Sequence, residues 1–174
     1  MNYSIMKKPS KITSITAKIN KFICPIGYKA ITICGTIYVR NTRALEEINK
    51  TLGIDSITEN HEMIHVKQAV SARNSWFLFY LTYIWQWIVN LPLLFINSKA
   101  PYKFISFELE AYANEDNFSY QNEIKNGAKG WKNFNKLTLS EKKDLAKQYY
   151  KNGRAILFRN FVKNYVLPIV ENHK

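Results

Sequence analysis

The sequence predicts an α+β protein that is mostly helical, with a small N-terminal β-sheet or hairpin. Three observations predict it. A run rich in β-branched and aromatic residues occupies positions 28–40, helix-forming segments with apolar periodicity fill most of the chain after position 42, and 174 residues with 47% hydrophobic content suffice for one core. The expected organisation is a flexible basic arm over 1–21, then a single domain over 22–174 whose end, about 138–170, is a helical extension.

The strand signal is YKAITICGTIYVR, which follows Pro25 and Gly27 and contains Gly35 as a bulge or bend. A helix is expected over 42–52, with Leu45, Ile48 and Leu52 on one side and Gly53 as its stop. The next should start near Ser56 or Thr58, with Glu59 in its first turn, and run to about Arg73. An uncharged aromatic segment follows at 76–96, which Pro92 should end or kink. Further helices are expected from Ser106 to about Asn117, from Ser140 to about Lys151, and from Ala155 to Val166.

Charge and cysteine content narrow the function classes. The net charge is +12, yet the lysines are scattered over both ends, and no helix-turn-helix, zinc-knuckle or RNP-like pattern accompanies them. Nucleic acid is therefore not expected as a partner, whereas basic flanks around an apolar stretch suit anionic lipid headgroups. The N-terminus has no apolar core of the length a cleaved signal peptide requires, so a cytoplasmic or membrane-associated protein is expected. Cys24 and Cys34 are read as reduced, buried side chains, since their spacing matches no zinc-ligand pattern.

The residues that carry chemistry are His61, Glu62 and His65. Residues four apart share a helix face, so both imidazoles can reach one Zn²⁺ at roughly 2.0–2.1 Å with Glu62 beside the bound water. Zinc lowers the pKa of that water to about 7, and Glu62 can take its proton and pass it to a leaving amine. His-Glu-x-x-His is the motif of zinc metalloproteases. Two of only three histidines fall within it, and His173 lies too near the C-terminus to serve as a third ligand. The carboxylates of FELEAYANE are the natural source of that ligand.

At this point the chain resembles the gluzincin metallopeptidases, in which a second helix bears a glutamate ligand followed one turn later by an acidic residue that orients a motif histidine. Glu108 with Ala111 matches the Glu-x-x-Ala part of that pattern, but Tyr112 stands where the family has Asp. The strings HEMIHVKQ and ISFELEAYANEDNFSY, separated by the aromatic segment, are also similar to small metallopeptidases of Bacteroides-type bacteria over about residues 25–125. The resemblance implies a zincin-like core with Zn²⁺ held by His61, His65 and Glu108. Glu110 is the second choice of ligand, because it points to a different helix face. Tyr112 either donates a hydrogen bond, stabilises an oxyanion or packs; Glu115 and Asp116 are read as solvated charges.

Within the apolar segment, Thr82, Gln86 and Asn90 recur every four residues and form one polar stripe. A single crossing of a bilayer would carry Glu108 about 30 Å from His65 and forbid joint coordination. The segment is therefore expected to turn at Pro92 and return, as a buried core helix or a re-entrant or interfacial one. The stripe would face the domain or water, and Ile84, Trp85, Trp87 and Ile88 would face core or lipid. A membrane surface contacted through 76–96 and 154–167 is thus a candidate partner. The leading expectation is peptide-bond hydrolysis of a peptide or protein substrate by zinc-bound water activated by Glu62. The alternative is a membrane-associated binding or scaffold protein with a structural or vestigial zinc site. A third reading is amide or ester hydrolysis of a small molecule.

Overall fold

The computed structural model describes residues 18–19, 30–33, 36–39, 57–151 and 156–173. Several expectations lie outside them: the helix over 42–52, the bulge at Gly35, the helix start at Ser56, both cysteines and most of the basic arm. The described residues are mostly helical. The chain divides into two compact units, one formed by 1–76 with 115–128 and the other by 77–114 with 129–174.

In the first unit, β1 (Lys18–Ile19), β2 (Ala30–Ile33) and β3 (Thr36–Val39) form a sheet in the order β1-β3-β2. β3 pairs parallel with β1 and antiparallel with β2, with Ile33 opposite Thr36. The helix α1 (Ile57–Ser71) packs on β2 and on the short helix α5 (Tyr120–Glu123). It ends earlier than the sequence suggests, because Arg73 and Asn74 both take left-handed backbone angles of φ 56°. The Asn74 N–H then returns to the Val70 carbonyl at 3.1 Å and satisfies one of the last helical acceptors. A second fastening holds the end of α1. Ala128 N–H donates to Lys67 O at 2.9 Å, and at Gly127 (φ 109°) a Cβ would come within 2.9 Å of Ser71 N, so only glycine fits.

The second unit begins with α2 (Trp76–Val89), whose first residue still belongs to the first unit, and continues through a 3₁₀ turn at Leu91–Phe95 to α3 (Ala100–Lys103). Pro92 sits in the first turn of the 3₁₀ segment, so the apolar stretch is broken where the sequence predicts a break. Next come α4 (Ser106–Asn114), α6 (Trp131–Phe134) and α7 (Leu139–Lys151). The helix α7 starts on a capping box: Glu141 N–H donates to Thr138 Oγ1, and Thr138 N–H donates to Glu141 Oε2 at 2.7 Å. Those bonds to Thr138 hold the Glu141 carboxyl below its ordinary pKa.

The last helix starts at Phe158 and continues to Asn172, beyond the expected end at Val166. It comprises α8 (Phe158–Phe161), a π-helical stretch at Val162–Val166 and α9 (Leu167–Asn172). Pro168 has no N–H to give the preceding turn, and the widened turn lies directly before it, with Leu167 N–H donating to Val162 O. This unit's apolar core gathers α4, α6, α7 and the last helix around Phe104, Leu109, Tyr149, Phe158 and Phe161. Lys103 Nζ sits 4.3 Å from the Phe158 ring centroid, closing one end of the aromatic cluster with a cation–π contact.

The polar stripe of α2 faces into this unit. Gln86 and Asn90 are buried, while Thr82 donates to Leu78 O at 2.8 Å within its own helix. Gln86 Oε1 accepts the Ser106 N–H at 2.8 Å and so satisfies one of the unpaired amides at the start of α4. Asn90 Nδ2 donates to Pro101 O at 3.1 Å, and its Oδ1 accepts from Lys142 Nζ at 3.2 Å. Burial pushes the Lys142 ammonium down to about 8. Among the described residues no helix is long and apolar enough to cross a membrane.

Candidate metal centre

In the first unit, α1 buries an unusual run of polar side chains: Glu59, Asn60, His61, Glu62, His65 and Gln68. Burying polar groups costs free energy unless each finds a hydrogen-bond partner, so this helix is costly as scaffold alone. The partners come largely from the segment just after position 114. Asn60 Nδ2 donates to Glu115 O at 2.8 Å, and Gln121 Nε2 donates to Asn60 Oδ1 at 2.8 Å. This pair clamps residues 115–121 to α1.

That clamp brings a carboxylate to the motif. His61 Nδ1 lies 2.8 Å from Glu115 Oε2, both side chains being about nine-tenths buried. A carboxylate only accepts, so the Nδ1 of His61 carries a proton, and in the neutral ring the Nε2 is then the nitrogen with the lone pair. His65 repeats the arrangement one turn on, its Nδ1 lying 2.8 Å from Gln68 Oε1. The two rings stand 4.9 Å apart at 80°, on one side of the helix as their spacing predicts. Both imidazoles are thus held in the tautomer that a metal ligand needs at Nε2. Glu62 is buried between them in sequence, 6% exposed.

In the second unit, α4 carries Glu108 and Glu110, both fully enclosed. Glu108 Oε1 accepts the Tyr83 hydroxyl of α2 at 2.7 Å. Glu110 Oε1 accepts the Gly130 N–H at 2.7 Å, the amide directly before α6, so its carboxylate helps to fasten that helix. The two candidates thus point to different neighbours, as their two-residue separation requires. Tyr112 meets the Phe158 ring edge-on, with centroids 4.9 Å apart at 89°, on the border of the apolar core. This ring contact is compatible with each of the three roles left open for Tyr112.

One sequence reading needs correction. Glu115 is not a solvated charge: it is 8% exposed and bonded to His61. An acidic partner of a motif histidine therefore stands at 115. Nothing local marks Glu115, because its role depends on a partner 54 positions away in the chain. Gln68 was legible in principle as an amide three residues after His65 on the same helix. Tyr83 carried no such signal. His173 is engaged elsewhere, its Nε2 lying 2.8 Å from Glu141 Oε1. Comparison of the chain with protein-family models, with curated proteins and with solved structures gives no match.

Proposed function

We propose that the protein is a zinc-dependent metallopeptidase in which His61, His65 and Glu108 hold the ion and Glu62 is the general base. The observation that carries this reading is the pair of oxygen acceptors on the motif histidines, Glu115 on His61 and Gln68 on His65, each 2.8 Å from Nδ1. Acceptors at that nitrogen are what metal-binding imidazoles have behind them, and two in succession on a buried helix are not explained by packing. Two imidazoles and one carboxylate are a donor set suited to catalytic zinc, which keeps one position open.

When bound, zinc supplies Lewis acidity, lowering the pKa of a water to about 7 and polarising a carbonyl. The chain's own groups do the rest. His61 and His65 present Nε2 because Glu115 and Gln68 hold their other nitrogens. The Tyr83 hydroxyl restrains the Glu108 carboxylate. Glu62 accepts the proton of the attacking water and returns it to the amine that leaves.

Zinc content and peptide turnover of the full chain test this together. The unaltered protein should carry one zinc per chain, His61→Ala should lose it, and Glu62→Gln should keep it while turnover falls by about 10²–10⁴-fold. A chain that binds no zinc ends the proposal. So does a Glu62→Gln variant that cleaves as well as the parent. Stoichiometric zinc without turnover on any peptide library points to a structural site in a binding protein.

A further inference from the structure

The helix α2 is turned inside out. Its inward stripe consists of Phe79, Tyr83, Gln86 and Asn90, spaced by four, three and four residues; three of these are buried and the two amides bond to the unit's interior. Its outward stripe has the same spacing and is wholly apolar: Phe77, Leu81, Ile84 with Trp85, and Ile88. Phe77 is 74% exposed and Trp85 64%, and beyond Pro92 the apolar surface continues to Phe95 at 95%. An isolated exposed leucine needs no explanation, but a continuous stripe over four turns does.

Charge says what fits it. No Asp or Glu occurs between Trp76 and Phe107, Lys99 lies just beyond the apolar surface while Lys103 is engaged on the Phe158 ring, and the chain as a whole is at +12. Two copies placed face to face would bring like charge together, whereas an anionic bilayer surface is attracted. The segment lies in such a surface and does not cross it, since it is interrupted at Asn90–Pro92 and none of the described helices can span. Trp85, 64% exposed on the outward stripe, and Trp87, 41% exposed, are of the aromatic type that settles at headgroup depth.

We infer that α2 and the following 3₁₀ turn form an interfacial anchor that seats in the headgroup region of anionic lipid bilayers. The apolar stripe enters about 5–10 Å below the surface, and the polar stripe stays in the protein. This is independent of the zinc site. It predicts that Glu62→Gln binds vesicles as the unaltered chain does.

The test is flotation of the full chain with vesicles of phosphatidylglycerol and phosphatidylcholine, read alongside tryptophan quenching by brominated lipid. Partition into anionic vesicles with quenching is expected, weakened by added salt. The double variant Leu81→Glu with Ile88→Glu should partition at least about tenfold more weakly while its circular dichroism and melting are unchanged, because both positions are exposed. No partition, partition that survives the double substitution, or equal salt-insensitive binding to neutral phosphatidylcholine vesicles would overturn the inference. A dimer that the same substitutions dissolve, without vesicle binding, assigns the face to a second copy and overturns it as well.

Discussion

The helices α1 and α2 are consecutive in sequence and opposite in the side chains they hide. The first buries Asn60, His61, Glu62, His65 and Gln68, while the second exposes Phe77, Leu81, Ile84, Trp85 and Ile88. Both break the usual rule that burial follows hydrophobicity. In α1 the buried polar groups converge on two histidines with acceptors at Nδ1, the arrangement on which the proposed zinc site rests. In α2 the buried polar groups cap another helix and meet a lysine, so they are structural, and the departure that calls for a partner is on the outside. A violation of the rule is informative only once the hydrogen bonds of the buried groups have been followed to their ends.

The largest effect that sharpens this contrast is expected at Glu115. Replacing it with Ala removes the acceptor behind His61 without touching a proposed ligand, and zinc affinity should fall about 10–100-fold in a competition titration. Unchanged affinity would place Glu115 among ordinary structural residues and erase the distinction between the helices. A smaller effect is expected at Gln86. Gln86→Leu leaves the Ser106 N–H without its acceptor and should lower stability by about 1–3 kcal/mol in urea unfolding, with zinc stoichiometry retained. A neutral result would show that the inward stripe is tolerated and not required.

The smallest effect has the opposite sign. Lys142 titrates at about 8 in the folded protein because burial disfavours its charge, below its ordinary 10.5. Between those values the unfolded chain binds more protons than the folded one, so this group makes stability rise with pH from about 8 towards 10.5, and below 8 its cost is complete. Lys142→Met removes that cost and loses the bond to Asn90, worth about 1 kcal/mol. The variant should be about 2 kcal/mol more stable at pH 7, at about 1.4 kcal/mol per pKa unit less the lost bond. The gain should disappear by about pH 10. Denaturant titrations at the two pH values check it, and a loss at pH 7 would mean that the lysine is held by more than Asn90.

Much of the frame was legible because it is local. The spacing of His61 and His65 fixes a common helix face, the recurrence of Thr82, Gln86 and Asn90 fixes a stripe, and Pro92 fixes a break. Helical periodicity depends only on the backbone, so a sequence carries it unaided. What it cannot carry is which of two opposite stripes turns inward. That was decided by tertiary partners: the Ser106 amide for Gln86, and Pro101 with Lys142 for Asn90. The same holds for Glu115, an ordinary surface carboxylate by composition until Asn60 and Gln121 clamp its segment beside His61. Tyr83 and Glu108, 25 residues apart, likewise meet only through packing of α2 on α4. Periodicity determined which side chains share a face; long-range hydrogen bonding decided what each face meets, because satisfying a buried polar atom is a condition on the whole chain and not on its neighbours in sequence.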